Sequence, residues 1–533
     1  MPARDTGDDA RRALWACTAI LFALRVYAST RVGFGDSEAL YVAYAAHPQP
    51  AYLDHPGMVG VVAACFRGAS GVISPLRVHL ATSVVASAVP WLTVLAARSL
   101  GAARGRAYVA GLAVAVAPET AVGLFALTPD LLLAPTWLAT IALLGFGLRA
   151  PSGSTRGAAS LVGAGLSAGV AAASKVSGAL LVLAVAWALV ARARSQASPA
   201  RGWARSAWPW LGLAAGAAIS LPVALWELTR GHPMLTHRIA APGGPSLLHA
   251  ALVTAGQLAY VSPLLLYWAA LAARSLRSQR GASVAHDVGW RTFALPAVVL
   301  LALSWLSPRS EPHWIAPALL TLAVAAGLDG VWSPSPKLGR RALAVAAAVT
   351  SLAFAWVLVP QSSRFVPRQA DLRWDIASEL YGWPDVAGRV RQERASLAAE
   401  PHEIVVVGPH WTVCAQIAAA MPDVQVGCAT PTGDDFDDWM PRARWRKAPY
   451  VVWVTDNRFA EDGAGELPLH AVRSRTRVQI ERGGRVARVF EIVIYERRAV
   501  SRAAGGMGLS PASASSERSS SSSGLGVVSS LSP

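Results

Sequence analysis

Four cysteines in 533 residues are too few for a disulfide framework. Cys17 and Cys65 fall in or near apolar stretches and read as packing residues. Cys414 and Cys428 lie in a polar C-terminal region and can pair if that region faces an oxidising compartment. Charge is scarce too. Only 15% of residues are Asp, Glu, Lys or Arg, where a soluble domain has about a quarter. Three nucleotide and metal signatures are missing: a P-loop, a Gly-rich dinucleotide fingerprint and paired Cys-x-x-Cys motifs. The missing P-loop weighs against an ATP-driven pump, so chemistry away from the cytoplasm would need a substrate that arrives already activated. There is no sustained internal repeat.

What is present is apolar sequence. Hydrophobic residues make up 53% of the chain, and runs of about 18 or more recur, close to the roughly 20 needed to cross a bilayer. Cutting the runs at charges, Pro and Gly predicts eleven helices, at 13–32, 75–97, 107–125, 130–148, 158–174, 176–191, 207–226, 252–273, 292–306, 313–331 and 342–360. The net charge of +16 is concentrated in alternate short loops, among them Arg98/Arg104/Arg106, Arg192/Arg194/Arg201/Arg205 and Lys337/Arg340/Arg341. That is a topology signal, with these loops and the N-terminus cytoplasmic, and it implies no nucleic-acid partner. No small-residue cleavage site follows Arg4, Arg11 and Arg12, so the first apolar run reads as a retained helix.

The unusual polar residues gather on the opposite side. Segment 33–75 carries Gly35-Asp36-Ser37-Glu38-Ala39-Leu40-Tyr41 and Tyr52-Leu53-Asp54-His55-Pro56, with two short helices expected at 37–46 and 55–69. Ionisable groups beside a bilayer are functional candidates by default. Asp36 and Glu38 fit a general base, a magnesium or manganese site that Asp54 could join, or simple N-terminal capping of a helix. Thr128-Pro129-Asp130 is also an ordinary helix start. Lys175, between two spans, either snorkels to headgroups or meets a phosphate. Arg309 and His313, in Ser307-Pro308-Arg309-Ser310-Glu311-Pro312-His313-Trp314, suit a phosphate as well.

Residues 361–498 change character. Short β-branched runs at 403–407 and 450–454, a helix at 412–420 and an alternating strand at 488–495 predict a small α/β domain outside the membrane. The acidic run Asp434-Asp435-Phe436-Asp437-Asp438 reads as a solvated loop before it reads as a cation site. From about 499 the Ser-rich composition cannot support a core, which predicts a disordered tail at 499–533.

The Asp36–Tyr41 motif after the first span, followed by Tyr52–Pro56, Thr128–Asp130, Ser174-Lys175, Pro222–Glu227 and Glu311–Trp314, resembles the bacterial dolichyl-phosphate-mannose-protein mannosyltransferase superfamily, in its aminoarabinose-transferase-like branch. The resemblance covers residues 13–360. It implies a polytopic α-helical membrane protein with a class C glycosyltransferase fold of about 11 transmembrane helices (1–360), in a bacterial inner membrane. It also implies a polyprenyl-phosphate sugar donor, a lipid, glycan or protein acceptor, and an inverting reaction. In such a site Asp36 is the expected base with Glu38 beside it, and Asp54, His55, Asp130, Lys175, Arg309 and His313 are the substrate-binding candidates. Relatives often have two adjacent acids where Ser37 here separates the pair, which leaves the role of Glu38 open. Two other classes compete: a secondary transporter, which would place its charges near the bilayer midplane, and a non-catalytic envelope-assembly subunit.

Overall fold

A computed structural model describes residues 6–195, 200–239, 246–328, 336–367, 371, 373, 375–397 and 404–498. The expected tail at 499–533 lies outside them. Among the described residues, eight helices are long and apolar enough to cross a membrane, beginning with Gly7–Ser29 and ending with Lys337–Leu358. Two further segments are bent pairs: Arg104–Val116 with Pro118–Phe125 at 70°, and Leu247–Tyr260 with Pro263–Ser278 at 102°. The helix expected at 313–331 is the shorter Pro312–Ala326. The eleven expected spans are therefore eight full-length helices, two broken ones and one that is short.

The first break has a clear cause. Pro118 cannot donate a backbone hydrogen bond, and the chain turns there. Arg25, only 2% exposed within the first helix, donates to the carbonyls of Thr120 and Ala121 at 3.0 and 2.9 Å. Away from water, a freed backbone carbonyl has to find such a donor. The break swings Glu119 out of the helix line.

Close packing in the bundle relies on missing side chains. Gly165 and Gly169 of the helix Thr155–Ser174 face Gly212 and Gly216 of the helix Ala207–Thr229. A Cβ on Gly165 would lie 2.1 Å from the Gly212 carbonyl carbon, and one on Gly169 would lie 2.3 Å from the Gly216 Cα. This small-residue spacing lets two membrane helices touch backbone to backbone.

The C-terminal part builds a five-stranded sheet from β1 (Ile404–Gly408), β2 (Val426–Cys428), β3 (Tyr450–Asp456), β4 (His470–Arg482) and β5 (Arg485–Arg497), in the order β2-β1-β3-β5-β4. β1 pairs in parallel with β2 and β3, while β5 runs antiparallel to β3 and β4. Val405, Val451, Trp453 and Val493 pack on one face, and Val406, Val452, Val454 and Ile492 on the other, which is the period-two rule of a doubly covered sheet. The β4–β5 hairpin turns through Gly483 and Gly484 at φ +61° and +79°, both values that favour glycine. β4 escapes sequence reading because its run from Arg473 to Arg477 alternates without an apolar face. Cys414 and Cys428 are buried free thiols, not a disulfide; burial, and then the Cys428 sulfur beside it, pushes the Cys414 thiol well up.

The helix Trp411–Ala420, between β1 and β2, packs directly on the helix Asp36–Tyr44. The expected loop helices are present as Asp36–Tyr44 and a shorter Met58–Ala64. The sheet domain is thereby seated on segment 33–75 and not tethered beside it.

Two glycines separate packing from propensity. Gly169→Leu should lower the detergent-solubilised protein's thermal midpoint, at a cost of about 1–3 kcal/mol for overpacking. Gly388→Ala, with nothing within 4 Å of the new Cβ in the helix Trp383–Ala395, should raise it by the equivalent of about 0.5–1 kcal/mol. A shift in the reverse order would contradict the packing described.

Candidate active site

The two acids of the first motif are both buried and hydrogen-bonded. Gly35 is the N-cap of the helix Asp36–Tyr44, and its N–H donates to Glu38 Oε2 at 3.0 Å. Glu38 also accepts from the Leu127 N–H at 2.7 Å and lies 3.1 Å from His79 Nε2, all in a buried setting. Asp36 accepts from Gln416 Nε2 at 3.0 Å and from the Arg458 guanidinium at 2.8 Å. The Asp36 and Arg458 side chains are each 5% exposed. Arg458 is shared with Asp456 at 2.9 Å, and Arg488 also reaches Asp456 at 3.1 Å. Glu379 stands 3.6 Å from Arg458; burial, and then the negative charge of Asp36, pushes its carboxyl up to about 7. The expected base is thus the membrane region's half of an ion pair with the sheet domain.

The open space lies next to these acids. A cavity of about 530 Å³ is bounded by the loop helices, the broken helix at Pro118, the start of the helix Pro129–Arg149, the 307–314 turn and the sheet domain. Neither Asp36 nor Glu38 lines it, whereas Ser37, Asp54, His55, Asp130, Arg309 and His313 do. Asp54 is the open one, its side chain 39% exposed and 3.3 Å from His237 Nε2. His237 in turn accepts a hydrogen bond from Arg309. Asp130 accepts two hydrogen bonds from Lys175 Nζ, at 2.7 and 2.8 Å, with His313 at 3.7 Å and Glu311 at 3.1 Å beyond it. Lys175 is buried behind Asp130, so it acts on the cavity through that carboxylate.

A second, apolar groove of about 100 Å³ runs between membrane helices, lined by residues such as Val114, Leu133, Leu265, Trp268, Leu320 and Ala323. It shares Glu119, Leu124 and Asp130 with the polar cavity. The sequence puts Glu119 among the polar residues of the outer side but gives it no role and leaves it within the expected helix 107–125; the Pro118-Glu119 pair is the signal for the break there.

The acidic run is not a solvated loop. Asp434 caps the short helix Asp435–Trp439. Asp435, 8% exposed, accepts from the Tyr44 hydroxyl and from the Leu53 N–H, each at 3.1 Å. Tyr44 stacks on Tyr52 at 3.5 Å, and His47 on Trp439 at 4.2 Å. This segment closes over the loop and brings Trp411, Thr430, Asp434 and Asp435 to the cavity wall. Desolvation pushes the Asp435 carboxyl up to about 7. Among the described residues no three His, Cys, Asp or Glu side chains are grouped as a metal site, and the expected ligands Asp36 and Glu38 are committed to Arg458, Gln416, Leu127 and His79.

The two kinds of acid should respond differently to mutation. Asp36→Asn removes one of the carboxylates around the buried Arg458, which keeps Asp456, and the lost charge-assisted bond costs about 1–3 kcal/mol. It should lower the thermal midpoint, while Asp54→Asn should leave it within about 0.5 kcal/mol of the parent. Asp435 titrates upward on folding, so its contribution is fully present below the ordinary aspartate pKa near 4. That contribution is lost as pH rises from there to about 7. Asp435→Asn should flatten the fall in thermal stability across this window; an unchanged pH profile would rule out Asp435 as its source.

Residues 54–226 match the family model described as dolichyl-phosphate-mannose-protein mannosyltransferase. No curated protein matches the sequence. In fold, the chain is similar to ArnT from Cupriavidus metallidurans bound to undecaprenyl phosphate, with 16% identity over 90% of this chain and 97% of that one and a TM-score of 0.56. The same protein in its apo state gives 16% identity, the same coverage and 0.58. The arabinofuranosyltransferase AftD from Mycobacteria matches at 16% identity over 91% of this chain and 41% of its own, with a TM-score of 0.50. At such identities the structural likeness is one of fold, and the family match supplies the sequence relation. Together, a mannosyltransferase family match within residues 54–226 and the class C glycosyltransferase fold of the whole chain support a membrane glycosyltransferase.

Proposed function

We propose that this enzyme transfers a sugar from a polyprenyl-phosphate donor to an acceptor hydroxyl in the 530 Å³ cavity, by a single inverting displacement. The observation that carries the reading is the junction of the two spaces. An apolar groove between membrane helices and the polar cavity lie side by side, sharing Glu119, Leu124 and Asp130 in their walls. A polyprenyl-phosphate sugar has the same division: a tail that belongs with hydrocarbon, then a phosphate, then a sugar that belongs with hydrogen-bonding groups. The groove takes the first isoprene units, the phosphate sits at the junction, and the sugar points into the cavity.

The leaving phosphate needs positive charge more than it needs a proton. His313 stands 3.7 Å from Asp130, whose charge Lys175 offsets, and Arg309 faces the cavity nearby. Asp54 is assigned as the base in place of Asp36. It is the more open carboxylate, and His237 beside it is held by Arg309. Asp36 instead positions the sheet domain over the cavity. The arginine-rich turns at the opposite helix ends support a cytoplasmic N-terminus, with the cavity then on the outer face of a bacterial inner membrane.

The test uses the full-length protein in nanodiscs with a polyprenyl-phosphate sugar. Asp54→Asn should cut kcat by about 10²-fold or more at unchanged thermal stability, while Ala323→Phe in the groove should raise the donor KM with little change in kcat. Full turnover by Asp54→Asn would remove it as the base, and an unaltered donor KM in Ala323→Phe would remove the groove as the lipid site.

A further inference from the structure

The cavity wall is lopsided in charge. Asp54, Glu119, Asp130, Glu311, Asp434 and Asp435 all line it, whereas Arg309 is the sole lysine or arginine among its described lining residues. Lys175 is engaged by Asp130 from behind. Of the histidines, His410 is stacked on Phe459 at 3.7 Å, and burial holds it down to about 4, so it stays neutral. The donor phosphate by itself draws on Arg309 and His313. Burial pushes the Asp434 and Asp435 carboxyls up, so a second phosphate would chiefly face Asp54, Asp130 and Glu311, with no lysine or arginine besides Arg309 on the described wall to meet it, and like charges in a partly desolvated site repel strongly.

The wall supplied by the sheet domain has a different chemistry. Trp411 offers an aromatic surface, Thr430 and Thr432 offer hydroxyls, and Asp434 and Asp435 offer carboxyl oxygens. Asp434 is half-buried at this wall, its Oδ1 accepting from the Phe436 N–H and its carboxyl also bonded by the Thr430 and Cys428 side chains. Aromatic faces suit the C–H faces of a sugar ring, and carboxylates accept from its hydroxyls. A saccharide presents such hydroxyls in several directions, as these acids require, whereas a peptide serine or threonine presents one. The volume falls in the range of about 300–1,000 Å³ typical of sites enclosing small molecules.

We infer that the acceptor is an uncharged, hydroxyl-rich carbohydrate group bound against Trp411, Thr430 and Asp434, and that the sugar is transferred to its hydroxyl and not to a phosphate. The inference rests on the transferase reading above and narrows it. In the step, the acceptor oxygen forms a bond to the anomeric carbon as the bond from that carbon to the phosphate oxygen breaks. The electron pair leaves with the polyprenyl phosphate, and the hydroxyl proton passes to Asp54.

Linkage chemistry tests this directly. Envelope fractions from producing cells with and without the full-length protein are compared by mass spectrometry, before and after mild acid, which cleaves glycosyl phosphates and spares ordinary glycosides. The expected result is a protein-dependent sugar that survives mild acid and maps by methylation analysis to a carbohydrate hydroxyl. A sugar released by mild acid, with a phosphodiester signal in the ³¹P spectrum, would overturn the acceptor assignment while leaving the transferase reading standing. Release from serine or threonine by β-elimination would do the same in favour of a protein acceptor. Loss of no sugar from any fraction would overturn both. With the acceptor in hand, Asp434→Asn and Trp411→Ala should each raise its KM about tenfold without altering the donor KM; unchanged acceptor KM in both variants would also overturn the proposal.

Discussion

A charge removed from water must be met by an opposite charge or by hydrogen bonds, and the structure is arranged around one place where this is done. Asp36 and Arg458, 422 residues apart in sequence, form a 2.8 Å pair with both side chains nearly sealed from solvent. Neither is tolerable there alone, because leaving one buried ion unpaired is strongly destabilising. The pair therefore ties the first loop to the sheet domain, and Gln416, which bonds both Asp36 and the Phe34 carbonyl, fixes the helix Trp411–Ala420 against it. A cavity between the two parts can keep its shape only if they keep their spacing.

The same rule operates elsewhere in the bundle. Arg25 is satisfied inside the first helix because the short helix Pro118–Ala121 ends beside it and presents the Thr120 and Ala121 carbonyls. Glu38 is held by two backbone N–H groups and by His79. Lys175 and Asp130 neutralise each other in the wall shared by groove and cavity. Each buried polar group thereby marks a point at which the chain departs from a plain apolar helix. Those departures are what create the site: the turn at Pro118 presents Glu119, and the segment at 434–439 reaches over the loop to present Asp435.

Much of the architecture was legible in the sequence because its cause is local. A bilayer demands long apolar runs, so the bundle can be counted from hydropathy; the count of eleven fails only where Pro118 and Pro263 bend helices and where Pro312–Ala326 is too short. The strands β1 and β3 show as β-branched runs because they are covered on both faces, while the edge strand β4, half exposed and rich in arginine, carries no such signal. Asp54, His55, Asp130, Arg309 and His313 were singled out as polar residues in membrane-flanking turns, and the fold brings all five to one cavity. Lys175 comes with them only through Asp130.

The roles of these residues could not be read in the same way. Spacing put Asp36 and Glu38 forward as a catalytic pair, but a carboxylate's role depends on what faces it, and their partners Arg458, Gln416, Leu127 and His79 lie 41 to 422 residues away. The acidic run at 434–438 looked solvated for the same reason, since nothing near it in sequence announces Tyr44. The sequence by itself determined the solvent each segment would seek, because hydropathy is a property of the segment. Only the tertiary structure decided which acids became buried in pairs and which line the cavity, because desolvation and pairing are properties of the contacts between distant segments.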